Sequence, residues 1–148
     1  MKFKFKLEKL LTHKNMQVDI DRKKFLDKQN ELNEQNKNLQ SMIASKKEVG
    51  HQVNQTVVQS DSWKLNVDQM NDYLIGQDLR IAQQNERLRI IEKEVEILRQ
   101  ILLKSLTEAK MVDKIKENKK SEFLKEIKEF EQKEIDEIAT LRFGNRNN

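Results

Sequence analysis

Every seventh residue from Val67 onward reads Val67, Leu74, Ile81, Leu88, Val95, Leu102, Ala109, Lys116, Phe123 and Phe130, so nine of ten rungs are apolar. An α-helix turns once per 3.6 residues, and a strict seven-residue repeat therefore keeps a narrow apolar stripe on one side. Such a stripe is buried against another helix, and a slight supercoil holds the two in contact. Composition makes the same demand. The 148 residues are 36% charged and 36% hydrophobic, with 5% aromatic, three glycines and no proline. That is too little apolar material for a compact globule, and no proline is present to break a helix. High charge alone would permit disorder, but a disordered chain has no reason to hold a seven-residue phase. The fold expected is all-α.

There is no cysteine, which excludes a disulfide framework and a thiolate metal site. The start is basic at Lys2, Lys4 and Lys6, yet no apolar run follows that resembles a signal-peptide core. Purely apolar runs reach only three residues, as in Ile101-Leu102-Leu103, far short of the ~20 that span a bilayer. A soluble, cytoplasmic protein is expected. Net charge is +4, from 29 basic and 25 acidic residues. Between Lys110 and Glu137 the signs alternate closely, which is the solvated face of a long helix rather than a nucleic-acid footprint. No nucleic-acid partner is expected. The first fourteen residues are the exception, with five lysines against the single acid Glu8.

The opening Met1-Lys2-Phe3-Lys4-Phe5-Lys6-Leu7 alternates with period two. With no sheet to join, it reads as an extended lead-in whose two phenylalanines need a surface to cover. From there the period becomes seven, through Leu11, Val18, Phe25, Leu32 and Leu39, with Lys46 interrupting and Val53 resuming. The companion line three residues on reads Lys14, Asp21, Lys28 and Gln35 before Met42 and Val49. The first helix thus has half a seam, which its long polar side chains must cover with their aliphatic stems. From Asn54 to Ser62 the pattern lapses into residues that compete with helical hydrogen bonds. A short polar connection makes two helices antiparallel neighbours. The expectation is a single domain over 1–148, an antiparallel two-helix coiled-coil hairpin. Its first helix spans about 5–54, its turn about 55–61 and its longer second helix about 62–142, with a disordered tail over 143–148.

The second helix is the better built. Trp63, Met70, Ile91, Leu98 and Val112 form its companion line, and Ile90, Ile97 and Ile101 widen the stripe into an expected centre of stability. Gly76 is a soft point, and Gly144 past Arg142 is a natural stop. A turn centred near Val58 sets position 4 opposite about position 112. Some thirty residues then overhang, about 45 Å of helix at 1.5 Å per residue. The overhang keeps an apolar stripe of Phe123, Leu124, Ile127, Phe130, Ile138 and Leu141, and an exposed stripe of that size marks a binding surface. The alternative is a break around Lys116 to Ser121, with a third helix folding back.

No enzyme can be assembled from these residues. His13 and His51 stand far apart along one helix and read as solvent-facing, which leaves neither a metal pair nor a triad. The glycines stand singly at 50, 76 and 144, so there is no phosphate loop. No catalytic residue, metal or cofactor is expected. Near the turn, Met42, Val49, Val57, Val58, Trp63, Met70 and Tyr73 make the tip more apolar than a bare connection needs. They read as a small cap packing the turn onto itself or as a docking surface.

Two segments together resemble a known family. The start, Phe3-x-Phe5-x-Leu7-x-x-Leu10-Leu11, resembles the opening of the flagellar export protein FliJ. The end, Glu131-Gln132-Lys133-x-x-Asp136-Glu137-x-Ala139-x-x-Arg142, is similar to that family's closing motif. Length, hairpin layout and the lack of cysteine agree, while residues 15 to 120 agree only in pattern. The resemblance implies a non-enzymatic component of the bacterial flagellar type III export apparatus. It implies a hairpin similar to the central stalk of rotary ATP synthases, which binds the hexameric export ATPase FliI in its pore. It also implies a link to the export gate protein FlhA, cycling of export chaperones, and a place at the cytoplasmic face of the inner membrane. On this reading Phe3, Phe5, Leu7, Leu11, Phe123, Phe130, Lys133, Asp136, Glu137, Ala139 and Arg142 contact the ATPase. Met42, Val49 and Tyr73 are assigned to the gate only by nearness to the tip. The rivals are a holdase chaperone of the prefoldin kind, which needs a strand pair at the turn, and a dimerising spacer.

Overall fold

The structure, a computed structural model, describes residues 2–59 and 63–146, with side chains described outside 56–66. It consists of two long helices, α1 over Glu8–Gln59 and the longer α2 over Trp63–Arg146, with no strand among the described residues. This is the all-α hairpin that the ladder demands. Contacts divide the chain into two units, one of Met1–Asp19 with Leu103–Asn148 and the other of Ile20–Leu102.

In the second unit the ladder positions Val67 and Leu88 are buried and Leu74, Ile81 and Val95 half-buried, with Ile91 buried on the companion line. Opposite them, α1 turns Phe25, Leu32, Leu39 and Lys46 inward on one line. Its other line consists of Asp21, Lys28, Gln35, Met42 and Val49. The polar half of the first helix is therefore seam after all. Gln84, 5% exposed, donates from Nε2 to the Gln35 backbone oxygen at 3.0 Å and to Gln35 Oε1 at 2.9 Å. Lys28 lays its stem in the groove and pairs with Glu94 at 2.6 Å, and Lys46 pairs with Asp78. Paired and hydrogen-bonded, such groups remain in a thin core that an isolated polar group could not enter. Gln77 is also buried. The sevenfold step from Met70 to Ile91 passes through Gln77 and Gln84, so the phase of α2 runs unbroken across both glutamines.

The first unit repeats the arrangement with Leu11 and Val18 against Ala109 and Val112, all buried. Lys14 reaches Glu108 at 3.0 Å and Lys116 reaches Glu8 at 2.9 Å. Lys14–Glu108 and Lys28–Glu94 share a sequence midpoint at 61, three residues beyond the expected centre at Val58. Position 4 accordingly faces about 118 rather than 112, and the overhang is shorter by the difference.

The helix ends depart from the sequence reading. Helix α1 begins at Glu8, an acid in the first turn that favours the positive end of the helix dipole. It runs on to Gln59, through most of the stretch read as a turn; residues 60–62 lie outside the described residues. Thr56, Val57 and Val58 each cost a helix only tenths of a kcal/mol, too little to end one that is held elsewhere along its length. Helix α2 passes through Gly144, whose φ is not positive, and ends at Arg146, while 147–148 lie outside the described residues. One glycine costs about 1 kcal/mol, and Arg146 in the last turn offsets part of it. Helix α2 is continuous across 116–121, so no third helix folds back. The third departure concerns Ile90, Ile97 and Ile101, expected to thicken the seam. They are 49%, 60% and 44% exposed. Ile90 lies two residues past the seam rung Leu88 and Ile97 two past Val95, a step of about 200° that turns the side chain outward.

Candidate functional site

The two ends of the chain meet in the first unit. Lys2–Phe5 is non-helical, and its alternation is realised in space: Phe3 and Phe5 are half-buried while Lys2, Lys4 and Lys6 stay exposed. Phe3 lies on Phe123 with ring centroids 5.6 Å apart and planes inclined at 47°, a tilted contact of the kind aromatic rings prefer. Glu8 N–H donates to Phe5 O at 3.2 Å and Leu11 N–H to Leu7 O at 2.9 Å, which ties the lead-in to the start of α1. Between the lead-in and α2 runs a groove of about 680 Å³, walled by Phe3, Phe5, Ile115, Lys119 and Phe123 among others. Glu108 sits beside Lys14, whose hydrogen bond and charge hold its carboxyl below the usual range.

Past the lead-in the helix stands without a partner. Ile127 is half-buried, and every residue from 128 to 146 is exposed. At 100° per residue Phe123, Leu124, Ile127, Phe130, Ile138 and Leu141 fall within an arc of about 120°. Phe130 is 54% exposed and Leu141 69%. The stripe read from sequence is therefore present as one face. Lys133, Asp136 and Glu137 border it with Thr140 and Leu141 around a shallow depression. Asp136 is oriented by Gln132, whose Nε2 donates to its Oδ1 at 3.0 Å. Ala139 and Arg142 lie on the other side of the stripe. Lys133, Asp136, Glu137, Ala139 and Arg142 thus lie around the helix rather than on one face of it.

Of the other candidates, Phe3, Phe5, Leu7 and Phe123 come together at the groove, while Leu11 is packed in the seam. Ile135 and Phe143, both well exposed, belong to the same helix end and escaped the sequence reading. Ile135 lies at the margin of the stripe and Phe143 on the opposite side, where heptad phase gives no reason to look. In the second unit Val49 and Tyr73 share a depression with Gln52, Gln69 and Met70. Met42 is half-buried in the seam one heptad away and does not line it. His13 and His51 are exposed, and the described residues contain no cluster of His, Asp and Glu with metal-binding geometry. Among them no helix is long and apolar enough to cross a membrane.

A family model described as the flagellar FliJ protein matches residues 3–148. The chain belongs to the FliJ family. Membership makes it a component of the flagellar export apparatus, and in this family that component is not an enzyme. No curated protein and no solved structure matches the chain. The FliJ match covers both end segments and the divergent middle between them, so the polar seam lies inside the family's own span.

Proposed function

We propose that this protein is a stalk-like regulator of the flagellar export ATPase. The unpaired end of α2 and the aromatic lead-in enter the pore of the hexameric ring formed by FliI. The observation that carries this reading is the helix end at 128–146, which is exposed on all sides yet keeps Phe130, Ile138 and Leu141 on one face. Apolar side chains held in water over five turns have a cost in solubility that a partner removes. Motif residues spread around the helix favour a partner that encircles it. The lysines of the lead-in suit an acidic pore lining.

The mechanism is allosteric. A single helix end with an extended segment on one side is asymmetric, and inside a symmetric ring it cannot contact six subunits equally. It therefore favours one arrangement of subunits over the others and biases the hydrolytic cycle. In the same reading Val49, Met70 and Tyr73 of the second unit meet the export gate protein FlhA, so the chain links ring to gate. Chaperone cycling belongs to the same assembly, at the cytoplasmic face of the inner membrane. Binding tests the first step. Titration of the cognate ATPase with the full chain gives saturable binding, and Phe130→Asp with Leu141→Asp weakens it at least tenfold. Equal affinity for the double variant would refute the assignment of this face.

A further inference from the structure

A second apolar face lies on the outside of α2 in the second unit, and we infer that it joins two copies of this chain antiparallel. Ile75, Leu79, Ile90, Ile97 and Ile101 are 44–68% exposed. At 100° per residue they fall in an arc of about 80°, on the side of α2 away from Leu88 and Val95. Together they offer roughly 500 Å² of mostly apolar surface, at the upper end of what an ordinary monomer exposes. Two such faces bury on the order of 1,000 Å², the lower bound for a specific interface.

The spacing of the face selects the occupant. A two-fold interface must be complementary to itself, each residue meeting its counterpart in reverse order. Run antiparallel about position 88, Ile75 faces Ile101 and Leu79 faces Ile97, on both sides of the axis. The two charges within the stripe are Glu86 and Lys93. In this register Glu86 faces Ile90, with its carboxylate already turned sideways onto Arg89 at 2.7 and 3.1 Å. Lys93 faces Gln83, one turn from the partner copy's Glu86, an attractive placement. A parallel pairing would set Glu86 on Glu86 and Lys93 on Lys93, like charges that disfavour it. Apolar pairing and charge thus agree on one arrangement, and no contact with the export ATPase is needed for it.

Sedimentation equilibrium of the full chain alone tests this. The chain is expected at twice its 17.7 kDa mass at tens of micromolar. Leu79→Glu and Ile97→Lys each weaken self-association at least tenfold, with helicity unchanged and with the thermal midpoint unchanged at high dilution, where every chain is monomeric, because both sites are exposed. Mixed in equal amounts, the two variants dimerise again, since Glu at 79 then meets Lys at 97 in the partner copy. A native chain that stays monomeric at 100 µM would overturn the inference and leave the face to another partner. Variants that dimerise as well as the native chain, or that fail to pair when mixed, would overturn it as well.

Discussion

Replacing Gln84 separates a structural hydrogen bond from mere tolerance of a polar residue in the seam. Its side chain is 5% exposed, and one amide nitrogen donates to both oxygens of Gln35. Gln84→Ala removes both bonds and most of the side-chain volume. A neutral hydrogen bond contributes about 1 kcal/mol, and the cavity adds a comparable amount, so the loss is about 2–3 kcal/mol. Gln84→Leu fills the volume with apolar atoms. The Gln35 backbone oxygen keeps its helical partner, and its half-buried amide can turn to water, so the loss is about 0–1 kcal/mol. Gln84→Glu is the most costly, because a buried carboxylate would face two acceptors. Urea unfolding followed by far-ultraviolet circular dichroism gives the order native, Leu, Ala, Glu. Gln84→Ala within about 0.5 kcal/mol of the native chain, or leucine costing more than alanine, would show that the Gln84–Gln35 hydrogen bonds do not stabilise the seam.

Two further substitutions test the seam and the helix. A Cβ added at Gly76 meets nothing within 4 Å, so Gly76→Ala stabilises by about 1 kcal/mol, read as a higher urea midpoint. The Glu108 carboxyl is held below its ordinary value by Lys14, so its contribution is present above about pH 4.3 and is lost as pH falls through the lowered value. Lys14→Met therefore lowers the urea midpoint at pH 7, and the gap closes towards pH 3. A gap equal at both pH values would assign the effect to packing of the lysine stem.

Much of the seam was legible because burial follows phase. From Val67 to Phe123 each rung of the ladder is buried or half-buried, and Phe130 is exposed where the partner ends. The lead-in was legible for the same reason, since alternation at Phe3 and Phe5 required a surface, which Phe123 and its neighbours supply. Polar members of the seam were harder to place. Lys14, Lys28 and Gln35 look like surface residues by chemistry and become seam only through cross-helix partners, which a single helix does not show. Ile90, Ile97 and Ile101 misled in the opposite sense, because an apolar residue beside a seam reads as part of it until its angle is counted. Helix ends were least legible, as Gly144 and the Asn54–Ser62 stretch carry costs small against a long packed helix. Of the candidate site, the stripe was readable and its lack of a partner followed from arithmetic.

On the proposed function, the exposed end of α2 acts on the export ATPase. The most direct measurement is ATP hydrolysis by the cognate enzyme at fixed concentration, alone, with the native chain, and with the Phe130→Asp, Leu141→Asp variant. The native chain is predicted to raise the rate and the variant, equally helical, to leave it at the basal level. No stimulation by the native chain, or equal stimulation by both, would rule out a regulatory role for this helix end.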